Sequence, residues 1–367
     1  MRNTKIALAV LALVASTAAM AQATVSGTID AGVASTTTVN NFTGVKTGTY
    51  FSGAGGFVAG NNLIFSGSEE IDGGVKATYT LGMGFDAGDG TPANGGGALG
   101  FTQQANVGLA GDFGSVKLGM QLSPFIASMA GTMLGNGHFF VNRLLSIGGG
   151  SNDFLINGGT AAATQSVGGF FVNNAISYTT PSIGGFSGTV LMTPKSGSNG
   201  SGVVLAPTAS DQYSAYTLNG SLGDVAVTAA YHKRENTYTG MGTGATYKMG
   251  PMTLAGNYMS VDYDAAASSM ANTKVNSYGF GVGYDVSEKI NLALQYARND
   301  LDAAKQALTG VHAKYVLSKR TFTYVSYTNA TNGAASSYEH RAFATNATLG
   351  GNTDSNRTIA VGVAHSF

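Results

Sequence analysis

The side chains that most often carry out chemistry are sparse and scattered in this sequence. The chain contains no Cys, which excludes disulfides, thiolate catalysis and cysteine-ligated metal sites. No two His residues have the i, i+4 spacing that binds a metal ion from one face of a helix. The five are His138, His232, His312, His340 and His365. Because no G-x-S-x-G motif is present either, we expect no metal, no cofactor and no enzymatic activity.

Two other patterns resemble ligand sites but fit β-structure better. Glu69, Glu70 and Asp72 could form a carboxylate pair or bind a cation, but Gly73-Gly74 follows them and indicates a solvated turn. The alternating glycines of 240–244 and 279–283 lack the closing glycine and the following helix of a phosphate-binding loop. We interpret them as glycines on one face of a barrel strand.

Composition and charge exclude several classes of protein. Nineteen Lys and Arg balance nineteen Asp and Glu, so no excess of positive charge is available to neutralise phosphates, and we expect no nucleic-acid partner. The hydrophobic fraction of 43% is too high for a disordered chain. Only 10% of the residues are charged, whereas soluble proteins average about 25%. The low charge predicts an outer surface that does not face water.

The first 21 residues have the organisation of a secretory signal peptide. Arg2 and Lys5 precede an unbroken apolar run over 6–15, which is too short to span a bilayer. Ala19-Met20-Ala21 then provides an A-x-A cleavage site, with cleavage after Ala23 as the alternative. We expect residues 1–21 to be removed and residues 22–367 to form one exported domain.

Hydrophobic residues elsewhere alternate with a period of two. In 290–297, Ile290, Leu292, Leu294 and Tyr296 alternate with small or polar residues, which is typical of a strand with two different faces. Short and long connections also alternate. The short ones are 72–74, 111–114, 181–185, 223–224, 250–251, 285–288 and 318–320, and the long ones are 36–60, 87–98, 123–169, 193–210, 234–240, 264–273, 299–307 and 329–356. Fifteen connections predict sixteen strands.

These features predict an all-β fold, a transmembrane antiparallel β-barrel in the bacterial outer membrane. A sheet can cross hydrocarbon only if it closes, because each unpaired backbone group there costs several kcal/mol. A Lys facing lipid would cost about 2–4 kcal/mol, and four strand lysines all have the opposite parity to their apolar neighbours. They are Lys76, Lys117, Lys248 and Lys314. A large soluble β-sandwich also alternates, but would not explain the low charge.

The last strand ends in an aromatic residue. Val363, His365 and Phe367 share one face with Ile359 and Val361, and this ending resembles the signal that the outer-membrane assembly machinery reads. The 17 Tyr and 18 Phe would supply the aromatic girdles, because Trp is absent. We expect contact with outer-membrane lipid and lipopolysaccharide.

Several segments resemble the general porins of Gram-negative bacteria, especially those of β-proteobacteria. The matching segments are 65–77, 107–119, 174–186 and 315–321. The resemblance implies a homotrimer in which each barrel is a water-filled pore for small solutes and ions. It also implies that the third external loop, Ser123–Gly169, folds into the lumen and forms a constriction.

The resemblance also assigns constriction residues, and here the sequence departs from the family. Porins commonly place arginines opposite acidic loop residues, which creates a field that sorts solutes. The aligned wall positions here are Asn62, Ser66, Gln103 and Met120; the remaining wall cations are Lys76 and Lys117, and the loop charges are Arg143 and Asp153. Strict alternation would instead put Gln103 and Met120 on the lipid side, unless a bulge intervenes.

The missing arginines and the apolar third loop suggest a weak field and low charge selectivity. The apolar loop residues could equally pack against the inner wall and line nothing. Two other functions stay open: a substrate-specific channel for weakly polar solutes, and an outer-membrane enzyme with His232 or His340 near its rim.

Overall fold

A computed structural model describes residues 23–40, 44–51, 57–92, 100–134, 171–194, 212–235, 238–263, 274–301, 304–331 and 353–367. The predicted signal peptide therefore lies outside the described residues. The strands are β1 (Thr24–Asn40), β2 (Gly44–Phe51), β3 (Asn62–Asp72), β4 (Val75–Gly84), β5 (Gln104–Gly111), β6 (Gly114–Leu122), β7 (Phe171–Thr179), β8 (Phe186–Met192), β9 (Tyr213–Leu222), β10 (Val225–Arg234), β11 (Tyr238–Met249), β12 (Met252–Tyr263), β13 (Lys274–Asp285), β14 (Ile290–Leu301), β15 (Ala304–Ser318), β16 (Thr321–Thr331) and β17 (Thr353–Ser366).

These strands form a closed antiparallel barrel with sixteen strand positions around its wall, as the sequence predicts. We call each of these positions a stave; each is filled by one strand, except the second, which two strands share. The second stave is interrupted: β2 pairs with β1 over 33–40, whereas β3 pairs with β1 over 24–28. The strands β4–β17 are the third to sixteenth staves. The barrel closes through β1 and β17, from Thr28 opposite Ser366 to Asn40 opposite Thr353, so no sheet edge remains.

All seven short connections predicted from the sequence lie at one end of the barrel, which we name the turn end. The opposite end is the loop end. Several of the turns use glycines with positive φ, such as Gly73 at 61° and Gly74 at 79°, a conformation that costs other residues more.

The predicted bounds of four long loops were wrong. β1 continues to Asn40 and β2 begins at Gly44, so much of 36–60 is strand. The segment Thr36–Val39 is rich in β-branched residues, which favour strands even where they are polar. The ranges 234–240, 299–307 and 329–356 are likewise shortened by strands that extend beyond the apolar band.

The two faces of the wall differ in size and polarity. Large apolar side chains stand exposed on the outer face; Phe280, for example, is 55% exposed and Leu294 48%. Inward-facing neighbours are small or polar and largely covered, as at Ala293 and Gln295. A contiguous apolar exterior of this kind indicates contact with lipid.

A short helix, α1 (Pro124–Ala130), follows β6 at the loop end. Pro124 begins the helix, where the missing N–H costs no hydrogen bond. In the part of the chain that the structure describes, no helix is both long enough and apolar enough to cross a membrane.

Candidate functional site

The helix α1 lies inside the barrel, against the inner faces of β8, β9, β10 and β11. Phe125, Ile126 and Met129 are 0–1% exposed and form one apolar cluster with Ala230 and Met259 of the wall. The face of α1 that carries these side chains therefore packs against the barrel wall and does not line the pore.

A track of inward-facing glycines makes room for this segment. A Cβ atom added to Gly242 would lie 2.6 Å from Met129 Sδ, and one added to Gly244 would lie 2.6 Å from Thr132 Cγ2. A Cβ on Gly281 would lie 3.1 Å from Leu134 Cδ1. The segment 124–134 thus packs against these alternating glycines of the wall, because any larger residue there would overlap with the side chains of Met129, Thr132 and Leu134.

Polar contacts fix the same segment at three further points. Ser123 Oγ and Tyr213 Oη lie 3.0 Å apart in a hydrogen bond. Asn257 Nδ2 donates to the Thr132 carbonyl oxygen at 3.3 Å, and the Leu134 amide donates to Gln295 Oε1 at 3.2 Å. Because these partners belong to three different strands, β9, β12 and β14, the segment is held across a broad sector of the wall.

The side chains that α1 leaves for the lumen are small and uncharged. Ala127 and Gly131 are exposed, and Ala130 is half-buried. Of the two interpretations left open by the sequence, packing against the wall is the one that holds for Phe125, Ile126, Met129 and Met133. The rest of the loop, including Arg143 and Asp153, lies outside the described residues.

The predicted wall cations face the lumen. A Cβ on Gly108 would lie 3.0 Å from Lys117 Cγ, on the side opposite to the exposed Leu118. Lys76 has the same parity as Thr78, whose hydroxyl also approaches Gly108. Lys314 Nζ lies 5.5 Å from the centroid of the Phe322 ring, within cation–π range.

The aligned non-basic positions divide into two groups. Asn62 and Ser66 lie in register with the inward-facing strand positions of β1, and the Thr28 amide donates to Asn62 Oδ1 at 3.2 Å. Met120 pairs with Ala105 and shares the outward face of Leu118, which is 49% exposed. Alternation, not alignment, therefore holds at Met120.

Gln103 precedes β5, and its amide donates to the Gly82 carbonyl oxygen. Its neighbour Gln104 is the glutamine beside the luminal face of Gly82. A bulge does occur nearby, between β6 and β7 after Gly119, which has φ 116°. It does not turn Met120 inward.

The histidines of the barrel wall are structural in this arrangement. The His232 ring is fully buried and stacks on Phe125, with centroids 3.7 Å apart and an interplanar angle of 8°. His312 Nδ1 is 2.6 Å from Ser326 Oγ. No cluster of three potential metal ligands occurs among the residues that the structure describes. His138 and His340 lie outside those residues.

Sequence reasoning missed a second inward-facing group, centred on Asp30 of β1. Its carboxylate is fully buried and bonded to the segment Phe57–Asn61, between β2 and β3. A lone acid in the middle of a strand was a possible signal, but its partners in 57–61 are 27–31 residues away and Tyr324 is 294 residues away.

At the barrel seam, the backbone of Phe367 exchanges two hydrogen bonds with Gly27, at 3.0 and 3.1 Å. His365 Nδ1 lies 2.8 Å from Thr321 Oγ1, and Val363 is exposed on the outer face. The C-terminal residues thus join the last strand to the first.

Comparisons with known proteins agree with this architecture. The sequence profile of the family described as Gram-negative porin matches residues 7–335. Outer membrane porin protein 32 of Delftia acidovorans is 29% identical over the whole of both chains. The anion-selective porin from Comamonas acidovorans superposes with a TM-score of 0.75 at 22% identity, covering 95% of this chain and 100% of that one. OmpT of Vibrio cholerae in its trimer form gives a TM-score of 0.57 at 10% identity, covering 95% and 99%. The chain belongs to the Gram-negative porin family and forms an outer-membrane channel.

Proposed function

We propose that this porin is a general diffusion channel of low charge selectivity rather than an enzyme. The observation that carries the proposal is the uncharged lumen side of α1, where Ala127, Ala130 and Gly131 face the pore. A strong transverse field needs fixed charges of both signs at the narrowest point. The described part of the third loop supplies none.

The remaining luminal charges favour anions slightly. Lys76, Lys117, Lys248 and Lys314 lie in the half of the barrel near the turn end. Two inward-facing carboxylates offset part of this positive charge: Glu70, the register partner of Lys76, and the buried Asp30. Fixed positive charge raises the local concentration of anions, and the similar Comamonas protein is described as anion-selective.

Reversal potentials across a planar bilayer test this proposal. With a tenfold salt gradient we expect a small potential of the sign for anions, well below the roughly 59 mV of an ideally selective pore. A potential near that limit, of either sign, would contradict the weak-field proposal. A hydrolysis assay with lipid and peptide substrates should be blank.

A substrate-specific channel for weakly polar solutes is the second candidate. The uncharged lumen side of α1 favours it, because such a surface does not repel weakly polar molecules. A general channel should show current that is independent of added neutral solute apart from viscosity, whereas a specific channel should show saturable block.

We also propose a homotrimer embedded in outer-membrane lipid and lipopolysaccharide, with the C-terminal residues Val363, His365 and Phe367 as the assembly signal. The apolar outer face supports lipid contact, and OmpT of Vibrio cholerae is described in a trimer form. Light scattering of the detergent-solubilised protein, corrected for detergent, should give the mass of three chains.

A further inference from the structure

We infer that Asp30 is a positioning residue that holds a second constriction element, the segment Phe57–Asn61, against the inner wall. This inference rests on the proposed channel function, because the element matters only if solutes cross the lumen. The pore would then be narrowed by two elements: the third loop, and the segment Phe57–Asn61 that interrupts the second stave.

The Asp30 carboxylate is surrounded by four hydrogen-bond donors. Oδ2 accepts from the amides of Phe57, Val58 and Ala59 at 2.9, 2.6 and 2.8 Å. Oδ1 accepts from Tyr324 Oη at 2.6 Å. Hydrogen bonds to a carboxylate are stronger than neutral ones, so one side chain fixes three consecutive peptide groups to β1 and β16.

A reciprocal bond closes the arrangement. The Asp30 amide donates to Asn61 Oδ1 at 2.6 Å, and Asn61 is fully buried. The segment is therefore held near both of its ends, and its path between β2 and β3 is fixed on the luminal side.

Apolar packing holds the same segment from beneath. Phe57 and Val58 are fully buried in a cluster with Ala34, Ala360 and Tyr324. A Cβ on Gly32 would lie 3.0 Å from Phe57 Cδ2, so this glycine provides the space for the ring. Their side chains face the wall, and the less buried Ala59 and Gly60 remain for the lumen.

The segment stands across the bore from α1. Its partners belong to the first, fifteenth and sixteenth staves, whereas α1 packs on the seventh to tenth. Counted along its strand from the turn end of the barrel, Asp30 is six residues into β1. Gly242, against which Met129 packs, is seven residues from the turn end of β11. Two inward elements at similar depth thus narrow the pore from opposite sides.

Removal of the acceptor should release this element. In Asp30→Ala, three amides would lose their acceptor, two of them in the fully buried residues Phe57 and Val58, and a buried unpaired donor is costly. Water in the lumen can satisfy those amides once the segment leaves the wall. Asp30→Asn is the matched control, because its amide oxygen can accept from the three N–H groups while its NH₂ faces Tyr324 Oη.

Cysteine labelling tests the release directly, since the natural chain has no Cys. Val58→Cys should react slowly with a membrane-impermeant thiol reagent when Asp30 is present, and at least about tenfold faster in Asp30→Ala; a tenfold change corresponds to about 1.4 kcal/mol. Asp30→Asn should restore most of the protection. Thr78→Cys, a luminal position on β4, should react at one rate in all backgrounds.

Conductance provides the functional readout. If a peptide layer about 5 Å thick leaves the bore, single-channel conductance should rise by about 1.5-fold or more in Asp30→Ala, and liposomes should swell faster with larger sugars. Unchanged conductance together with unchanged labelling of Val58→Cys would overturn the inference. If the unmodified porin itself does not conduct, the proposed channel function fails instead.

A milder variant keeps the inference testable if Asp30→Ala does not assemble. Tyr324→Phe removes one of the four donors and leaves the ring in place, so we expect an intermediate labelling rate at Val58→Cys. A rate equal to that of the parent would count against Asp30 as a positioning residue.

Discussion

Phe125 is one of the buried side chains that attach α1 to the barrel wall. Its ring is fully buried, stacks on His232 with centroids 3.7 Å apart, and packs with Ile126, Met129 and Ala230. We predict that Phe125→Ala loosens α1 from the wall while the barrel itself stays folded, because the strand pairings do not involve this residue.

The size of the effect follows from the packing. Truncation of a fully buried Phe to Ala typically costs about 3–5 kcal/mol, of which aromatic stacking accounts for about 0.5–1.5 kcal/mol. Because every 1.4 kcal/mol is a factor of ten, the detached state should become roughly 140 to 4,000 times more populated.

A cysteine beneath the helix measures that population. Ala230→Cys lies on the wall under α1 and is 7% exposed, so its reaction with a water-soluble thiol reagent requires the helix to lift. We expect the rate in the Phe125→Ala background to rise by roughly 140- to 4,000-fold, with Thr78→Cys unchanged. A rise of less than about threefold would refute the assignment of Phe125 as an anchor of the loop.

Three further predictions concern the wall, the field and the seam. Val107 faces outward and is 55% exposed, so Val107→Lys should cost about 2–4 kcal/mol in lipid and lower the folded fraction measured by heat-modifiable gel mobility. The luminal variant Thr78→Lys should fold normally. Equal folded yields of the two variants would contradict the assigned faces. Lys117→Glu should move the reversal potential towards cations, and a shift towards anions would contradict its luminal position. Deletion of Phe367 removes two backbone hydrogen bonds to Gly27 and should slow folding into vesicles that contain the assembly machinery more than folding into detergent; equal slowing would limit its role to the seam.

Local sequence patterns were sufficient to predict the barrel. Period-two alternation indicates which face of a strand contacts lipid, and tight turns indicate where the chain reverses. The sequence therefore predicts correctly that Leu294 faces outward, that Lys117 faces inward and that Gly73 lies in a turn. The strand count was also correct, although the second stave is split into β2 and β3. The polar composition of 36–60 concealed that split, since β-branched polar residues pair as well as apolar ones.

The constriction was less predictable because its contacts are distant in sequence. The glycines of 240–244 were visible, but only the fold shows that Met129 and Thr132 rest on them. Likewise, the residues around Asp30 do not indicate that its carboxylate accepts hydrogen bonds from amides nearly thirty residues away. Alternation predicted the outward position of Met120 better than alignment did.

The central proposal is that the barrel encloses a continuous aqueous path and that the described part of the third loop, residues 123–134, adds no fixed charge to it. Single-channel recording of the purified protein over a series of KCl concentrations tests it most directly. A water-filled pore with little fixed charge should give ohmic steps whose conductance rises in proportion to bulk conductivity. Absence of steps, or conductance that saturates at low salt as it does in a strongly charged or solute-binding pore, would contradict the account.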